Sequence, residues 1–216
     1  MKIYIALYDK TENLSEVDIK DFGKACKKKL EETKNEDLYK ERVATYILAK
    51  SVINELQNKE CELSFDENGK PYISGADIDI SLSHTDGLST LIVSEKSVGI
   101  DAELISEEKE EKIIPLLKRY CEGFDPKRLS YDIPINIYSI KSVGESLVLI
   151  PDERAKINRE QTGTFLRWTE LEAALKLSGK GFMGLCETKR LSSEIEVFSY
   201  VISCENKRYA LSAAKK

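Results

Sequence analysis

Ile78-Asp79-Ile80-Ser81-Leu82-Ser83, then Leu88-Ser89-Thr90-Leu91-Ile92-Val93-Ser94, then Ser97-Val98-Gly99-Ile100-Asp101-Ala102-Glu103, is the stretch whose reading decides the fold. The apolar and β-branched residues Ile78, Ile80, Leu82, Leu91, Ile92 and Val93 predict three short strands in succession, near 78–83, 88–94 and 97–103. Upstream, residues 62–66 read as a strand stopped by the turn Asp66-Glu67-Asn68-Gly69. Before that, 15–33 and 37–57 read as helices. In the second, Val43, Ile47, Leu48, Val52, Ile53 and Leu56 recur at helical spacing. Residues 2–9 read as a first strand. Downstream, 107–121 and 164–178 are expected helices, and 193–204 with 207–213 an expected hairpin turning at Glu205-Asn206-Lys207.

Helices followed by antiparallel strands, twice over, predict an α+β fold. The expected form is two similar α+β halves related by a pseudo-twofold, with a ligand cleft between them. The division falls at 1–104 and 105–216. The second half carries an insertion near 124–162, which holds two candidate strands at 136–140 and 146–150 and a polar stretch from Asp152 to Gln161.

Composition narrows the function classes. A chain of 216 residues with 41% hydrophobic and 33% charged residues has enough apolar content for a packed core and is not disordered in type. A net charge of −5 argues against a general nucleic-acid binder. No apolar run reaches the length of a membrane span, and the opening residues read as a strand and not as a leader, so the expected location is cytoplasmic. Five cysteines, none at CxxC spacing, and a single histidine argue for free thiols and against a Cys/His zinc site.

Three constellations carry chemistry. Asp101 and Glu103 lie two apart on a strand, so their carboxylates share a face. Adjacent like charges favour a proton or a cation between them, and magnesium, with its all-oxygen coordination, suits such a pair. The pattern is common, and read by itself the pair is a solvated strand end with two acids on its wet face. On the helix 164–178, Phe165, Trp168, Glu172 and Gly179 form one stripe, with Lys176 a turn after Glu172. Glu172 and Lys176 are either a third metal ligand and a phosphate contact or an ordinary i,i+4 ion pair. The other acid on this helix, Glu170, points elsewhere and is expected to face solvent. Finally, His84 sits where a strand meets a turn, able to contact a phosphate or a base, although a lone histidine is more often structural.

Together, Gly69-Lys70-Pro71, Ser81-Leu82-Ser83-His84, Val98-Gly99-Ile100-Asp101-Ala102-Glu103 and Trp168-Thr169-Glu170-Leu171-Glu172-Ala173-Ala174-Leu175-Lys176, followed by Gly179-Lys180-Gly181, resemble the ordered motifs of 4′-phosphopantetheinyl transferases. The match is closer to the pseudo-dimeric branch that activates peptide and polyketide synthetases, typified by the surfactin-synthetase-activating enzymes, than to the short trimeric branch. The resemblance covers residues 1 to about 105 and 164 to the end. It implies a monomer that moves the phosphopantetheine arm of coenzyme A onto a serine of an acyl or peptidyl carrier protein, with Mg2+ as cofactor and 3′,5′-ADP released. It implies further that Asp101, Glu103 and Glu172 hold the metal, that Lys176 meets the diphosphate, and that Lys70, Ser83, His84 and Arg42 contact the nucleotide end. A lysine of the cluster Lys27-Lys28-Lys29, represented by Lys28, would meet the 3′-phosphate. The sequence departs from the family at Leu171, where a lysine is usual, and around Glu122, the counterpart of the expected general base. That departure keeps a second reading open: a degenerate homologue that binds coenzyme A or a carrier protein without transfer.

Overall fold

The computed structural model of the protein describes residues 1–9, 14, 19, 22–55, 61–143, 146–160 and 163–216. Along the chain run β1 (Lys2–Leu7), α1 (Lys24–Glu31), α2 (Glu36–Glu55), β2 (Glu62–Phe65), β3 (Pro71–Ser74), β4 (Asp79–Thr85), β5 (Leu88–Ser94) and β6 (Val98–Leu104). Then follow α3 (Glu107–Tyr120), β7 (Lys127–Arg128), β8 (Ile135–Val143), β9 (Ser146–Pro151), β10 (Lys156–Arg159), α4 (Thr164–Ser178), α5 (Leu185–Arg190), β11 (Glu196–Cys204) and β12 (Lys207–Lys215). The mixed helix and strand content agrees with an α+β fold. The start of the helix expected over 15–33 (15–18 and 20–21) and the end of that expected over 37–57 (56–57) lie outside the described residues.

The strands form two sheets. The first has the order β2-β3-β4-β5-β1-β8-β9, and the second β10-β11-β12-β6 with β7 beside β11. In the first sheet β1 runs antiparallel to β5 but parallel to β8. Residues 135–151, read from sequence as part of an insertion in the second half, therefore extend the first sheet as a β8–β9 hairpin. Strand β6 pairs with β12 and so belongs to the second sheet.

Side-chain alternation along the strands stacks these sheets. Ile3, Ile5 and Leu7 of β1 meet Ile100 and Ala102 of β6, Phe198, Tyr200 and Ile202 of β11, and Leu211 and Ala213 of β12 in a core between the sheets. The alternate residues Tyr4, Ala6 and Tyr8 turn to the other face, where α1 and α2 cover them. On the far side of the second sheet, Val197, Val201, Ala210 and Ala214 pack under α3 and α4. The order of layers is thus helices, sheet, sheet, helices.

Strand β6 is an edge strand, and its outer N–H groups need partners. Side chains of β4 supply them at every second residue. Asp79 Oδ2 accepts from Val98 N–H at 2.9 Å and Ser81 Oγ from Ile100 N–H at 3.1 Å. Ser83 Oγ accepts from Ala102 N–H and Thr85 Oγ1 from Leu104 N–H, both at 3.3 Å. This ladder fixes β6 against β4 in register. No helix among the described residues is long and apolar enough to cross a membrane.

Candidate active site

Alternation on β6 sends Val98, Ile100 and Ala102 into the core between the sheets. Gly99, Asp101 and Glu103 therefore face the side covered by α4. At Gly99 the helix backbone comes so close that an added Cβ would lie 1.9 Å from the Ala173 carbonyl oxygen and 2.6 Å from Leu177 N. Only glycine permits that approach, which sets Glu172 and Lys176 of α4 over the two carboxylates of β6. One carboxylate oxygen from each of Asp101, Glu103 and Glu172 lies within 4.8 Å of the others. The helix ends at Gly179, whose φ of 68° is the left-handed conformation of a helix stop.

Asp101 is the buried member, 3% exposed. Its Oδ1 accepts from Ser83 Oγ at 2.9 Å and from Lys176 Nζ at 2.7 Å, while its Oδ2 is buried without a hydrogen-bond partner. Burial, and next the Asp101 carboxylate, push the Glu172 carboxyl well above the usual range. Burial likewise raises Glu103, against the pull of Lys109. Lys109 Nζ bonds Glu103 Oε2 at 2.7 Å and Thr85 Oγ1 at 2.8 Å. An orphaned carboxylate oxygen, two carboxyls with raised proton affinity and a purely oxygen donor set fit a hard divalent cation such as magnesium. The residues present therefore suit the metal that the resemblance implies.

The acids line a cavity of about 430 Å³. Its walls come from α1 and α2 (Lys29, Arg42, Thr45, Tyr46), from β2, β4 and the turn before β3 (Phe65, Leu82, Ser83, His84, Gly69), and from α4 (Glu172, Lys176). His84 Nδ1 lies 2.9 Å from Glu41 Oε2, which orients the ring. Arg42 donates to the Lys29 carbonyl at 3.0 Å and to Thr33 Oγ1. Lys70 does not line the cavity. It pairs with Asp79 at 2.9 Å, and its Cδ reaches the helix stop at Gly179.

Seven of the residues singled out from sequence thus meet at one cavity: Arg42, Ser83, His84, Asp101, Glu103, Glu172 and Lys176. Lys28 is not among them; three-quarters of its side chain is exposed and it pairs with Glu32, while its neighbour Lys29 faces the cavity. Glu122 is exposed in the turn after α3 and does not line the cavity. Leu171 is fully buried in the core under α4.

The expectation that Glu170 faces solvent is wrong. It is 1% exposed, held by Arg128 Nε at 2.9 Å and Nη2 at 2.8 Å, and by Ser199 Oγ at 3.1 Å. The partner comes from β7, inside the segment that sequence patterns read least well. Gly99 and Lys109 were also missed as site residues. A glycine between Val98 and Ile100 in a strand is the one sequence signal for such close packing. Nothing in the sequence marks Lys109 among the charges of α3. Compared with known proteins, the chain matches no family model and no curated protein.

Proposed function

We propose that the protein is a phosphopantetheinyl transferase, moving the phosphopantetheine arm of coenzyme A to a serine of an acyl or peptidyl carrier protein. The observation that carries the reading is the convergence of Asp101, Glu103 and Glu172, with Lys176 beside them, on a cavity that Arg42, Lys29 and His84 also line. Acids able to hold a cation and basic groups lining the same cavity suit a ligand with a diphosphate and a further phosphate. In this reading the cavity is the cleft between two related halves, and the protein works as a cytoplasmic monomer.

Asp101, Glu103 and Glu172 would hold Mg2+, which when bound neutralises charge on the diphosphate. Lys176 sits on Asp101 Oδ1, within reach of any group held by the acids, and supplies positive charge where the leaving phosphate gains negative charge. Ser83 fixes Asp101 by donating to the same oxygen, so only Oδ2 is left to turn inward. Arg42, Lys29 and His84 anchor the nucleotide end, which leaves the phosphopantetheine phosphorus near the acids. The carrier serine attacks that phosphorus, the P–O bond to 3′,5′-ADP breaks, and the serine proton passes to a group lining the cavity or to water. Glu122, exposed outside the cavity, is not positioned for that role in this conformation.

The test is intact-mass spectrometry of apo carrier proteins incubated with coenzyme A and magnesium. The expected result is a gain of one phosphopantetheine, abolished in Asp101→Ala and Glu172→Ala. No gain across a panel of carriers overturns the reading. Leu171, an apolar residue where the resembling family has a lysine, favours the second reading: a homologue that binds coenzyme A or carrier without transfer. Calorimetry showing coenzyme A binding together with no mass gain would select it.

A further inference from the structure

We infer that Lys109 is a built-in counter-ion of the acidic cluster, which yields Glu103 to a divalent cation and then holds a phosphate oxygen. It therefore weakens cation binding and strengthens phosphate binding. The inference rests on the reading of Asp101, Glu103 and Glu172 as a cation site.

Two ammonium groups occupy the cluster. Lys176 Nζ sits 2.7 Å from Asp101 Oδ1, and Lys109 Nζ sits 2.7 Å from Glu103 Oε2. They reach it from two different helices, Lys176 from α4 and Lys109 from the first turn of α3. The backbone of Lys109 is fixed there, because its N–H donates to Ser106 Oγ, the helix cap, at 3.3 Å. Its ammonium is shared between Glu103 and Thr85 Oγ1, and about a third of the side chain is exposed, so it can leave the carboxylate without unfolding a core.

The charges decide what each state binds. Three carboxylates against two ammonium groups carry at most one net negative charge. A divalent cation turns that into one net positive charge. The cluster attracts a phosphate only after the cation has entered. Lys109 is not itself in the cavity wall, but its ammonium lies against Glu103, which is, so once displaced from that carboxylate it is placed beside a phosphate held there. A lysine ammonium serves well as a point-charge phosphate ligand. A merely structural Lys109, tying α3 to β6, gives the opposite sign for the cation: removing it would loosen Glu103 and weaken cation binding.

The experiment compares the full-length wild type with Lys109→Met, Lys109→Arg and, as a control, Lys112→Met, whose ammonium pairs with Glu108 on the exposed face of α3. Mg2+ binding is measured by calorimetry, and inorganic pyrophosphate binding at saturating Mg2+ by the same method. Removing a charge this close to the ligating oxygens is expected to tighten Mg2+ binding in Lys109→Met about tenfold and to weaken pyrophosphate binding by about tenfold. Lys109→Arg and Lys112→Met should stay near wild type in both. Unchanged or weaker Mg2+ binding in Lys109→Met, or unchanged pyrophosphate binding, overturns the inference. Should Lys109→Met not fold, Lys109→Gln, which keeps a hydrogen-bond donor but no charge, carries the same two expectations. A wild type that takes up no divalent cation would instead defeat the cation-site reading itself, so the two failures are distinguishable.

Discussion

Replacing Gly99 by alanine tests how the site is assembled. The new methyl group would sit 1.9 Å from the Ala173 oxygen, in the backbone of a buried helix, where no side chain can swing aside. Ordinary contact begins near 3.4 Å, so α4 must retreat by about 1.5 Å, or β6 must move as far the other way. Strand β6 is held by the four side-chain bonds from β4, and α4 by the core beneath it. Either shift opens packed surface, and overpacking of this kind costs about 1–3 kcal/mol. The consequence for the cluster is sharper. The three carboxylate oxygens lie within 4.8 Å of one another, and the small divalent cation they would hold leaves little slack for a wider spread. A further displacement of the helix removes Glu172 from that reach. Gly99→Ala should therefore lower the unfolding free energy by about 1–3 kcal/mol, seen as a lower urea midpoint, and reduce Mg2+ affinity at least tenfold, both read on one sample by urea titration and calorimetry. Wild-type stability together with wild-type Mg2+ binding would refute the argument that this glycine sets the helix over the acids.

Arg128→Met takes the bidentate partner from buried Glu170 and leaves it only the Ser199 hydroxyl and Arg167, 3.5 Å away; breaking a buried pair costs about 3–5 kcal/mol, and with these partners retained the loss should fall at or below the low end of that range in urea titration, whereas an exposed Glu170 would make the change nearly silent. Burial pushes the Cys26 thiol up to about 12 and the Cys121 thiol up to about 11, so both stay protonated at pH 8. Cys186, the exposed cysteine, should then be the first to react with a thiol reagent at that pH; prompt labelling of Cys26 or Cys121 in the folded protein would contradict the packing. Hydrogen bonds from Arg154 hold the Asp152 carboxylate far below its ordinary range, with Ser139 adding to the effect. A depressed carboxylate contributes stability that is present above its unfolded pKa and lost as pH falls toward the folded one. Arg154→Met should therefore flatten the decline in stability below about pH 4 relative to wild type, and parallel acid-melting curves would count against it.

Much of the fold is legible in sequence because its strands obey a two-residue period. Val98, Ile100 and Ala102 mark one face of β6 and Asp101 and Glu103 the other, whatever the tertiary context. The acids on β6 and α4 are visible as types and spacings, and their convergence follows once the helix lies across the strand. The glycine that brings it so near is visible too, though its purpose is not.

What sequence alone determined is thus the local pattern: which residues alternate, where turns stop them, and which side chains carry charge at suggestive intervals. Tertiary structure decided which of those charges meet. Helix α4 is covered on two sides, with Leu166, Leu171, Ala173 and Leu175 all buried, so its periodicity could not tell that Glu170 is sealed against Arg128 while Glu172 opens to the cavity. Lys28 and Lys29 are adjacent in sequence but about 100° apart around a helix, and only packing chose which one faces inward. The parallel pairing of β8 with β1 and the reach of Lys109 to Glu103 are contacts between segments that no local pattern relates. Such partners are chosen by the free energy of the whole packed arrangement, to which each local sequence contributes only a face.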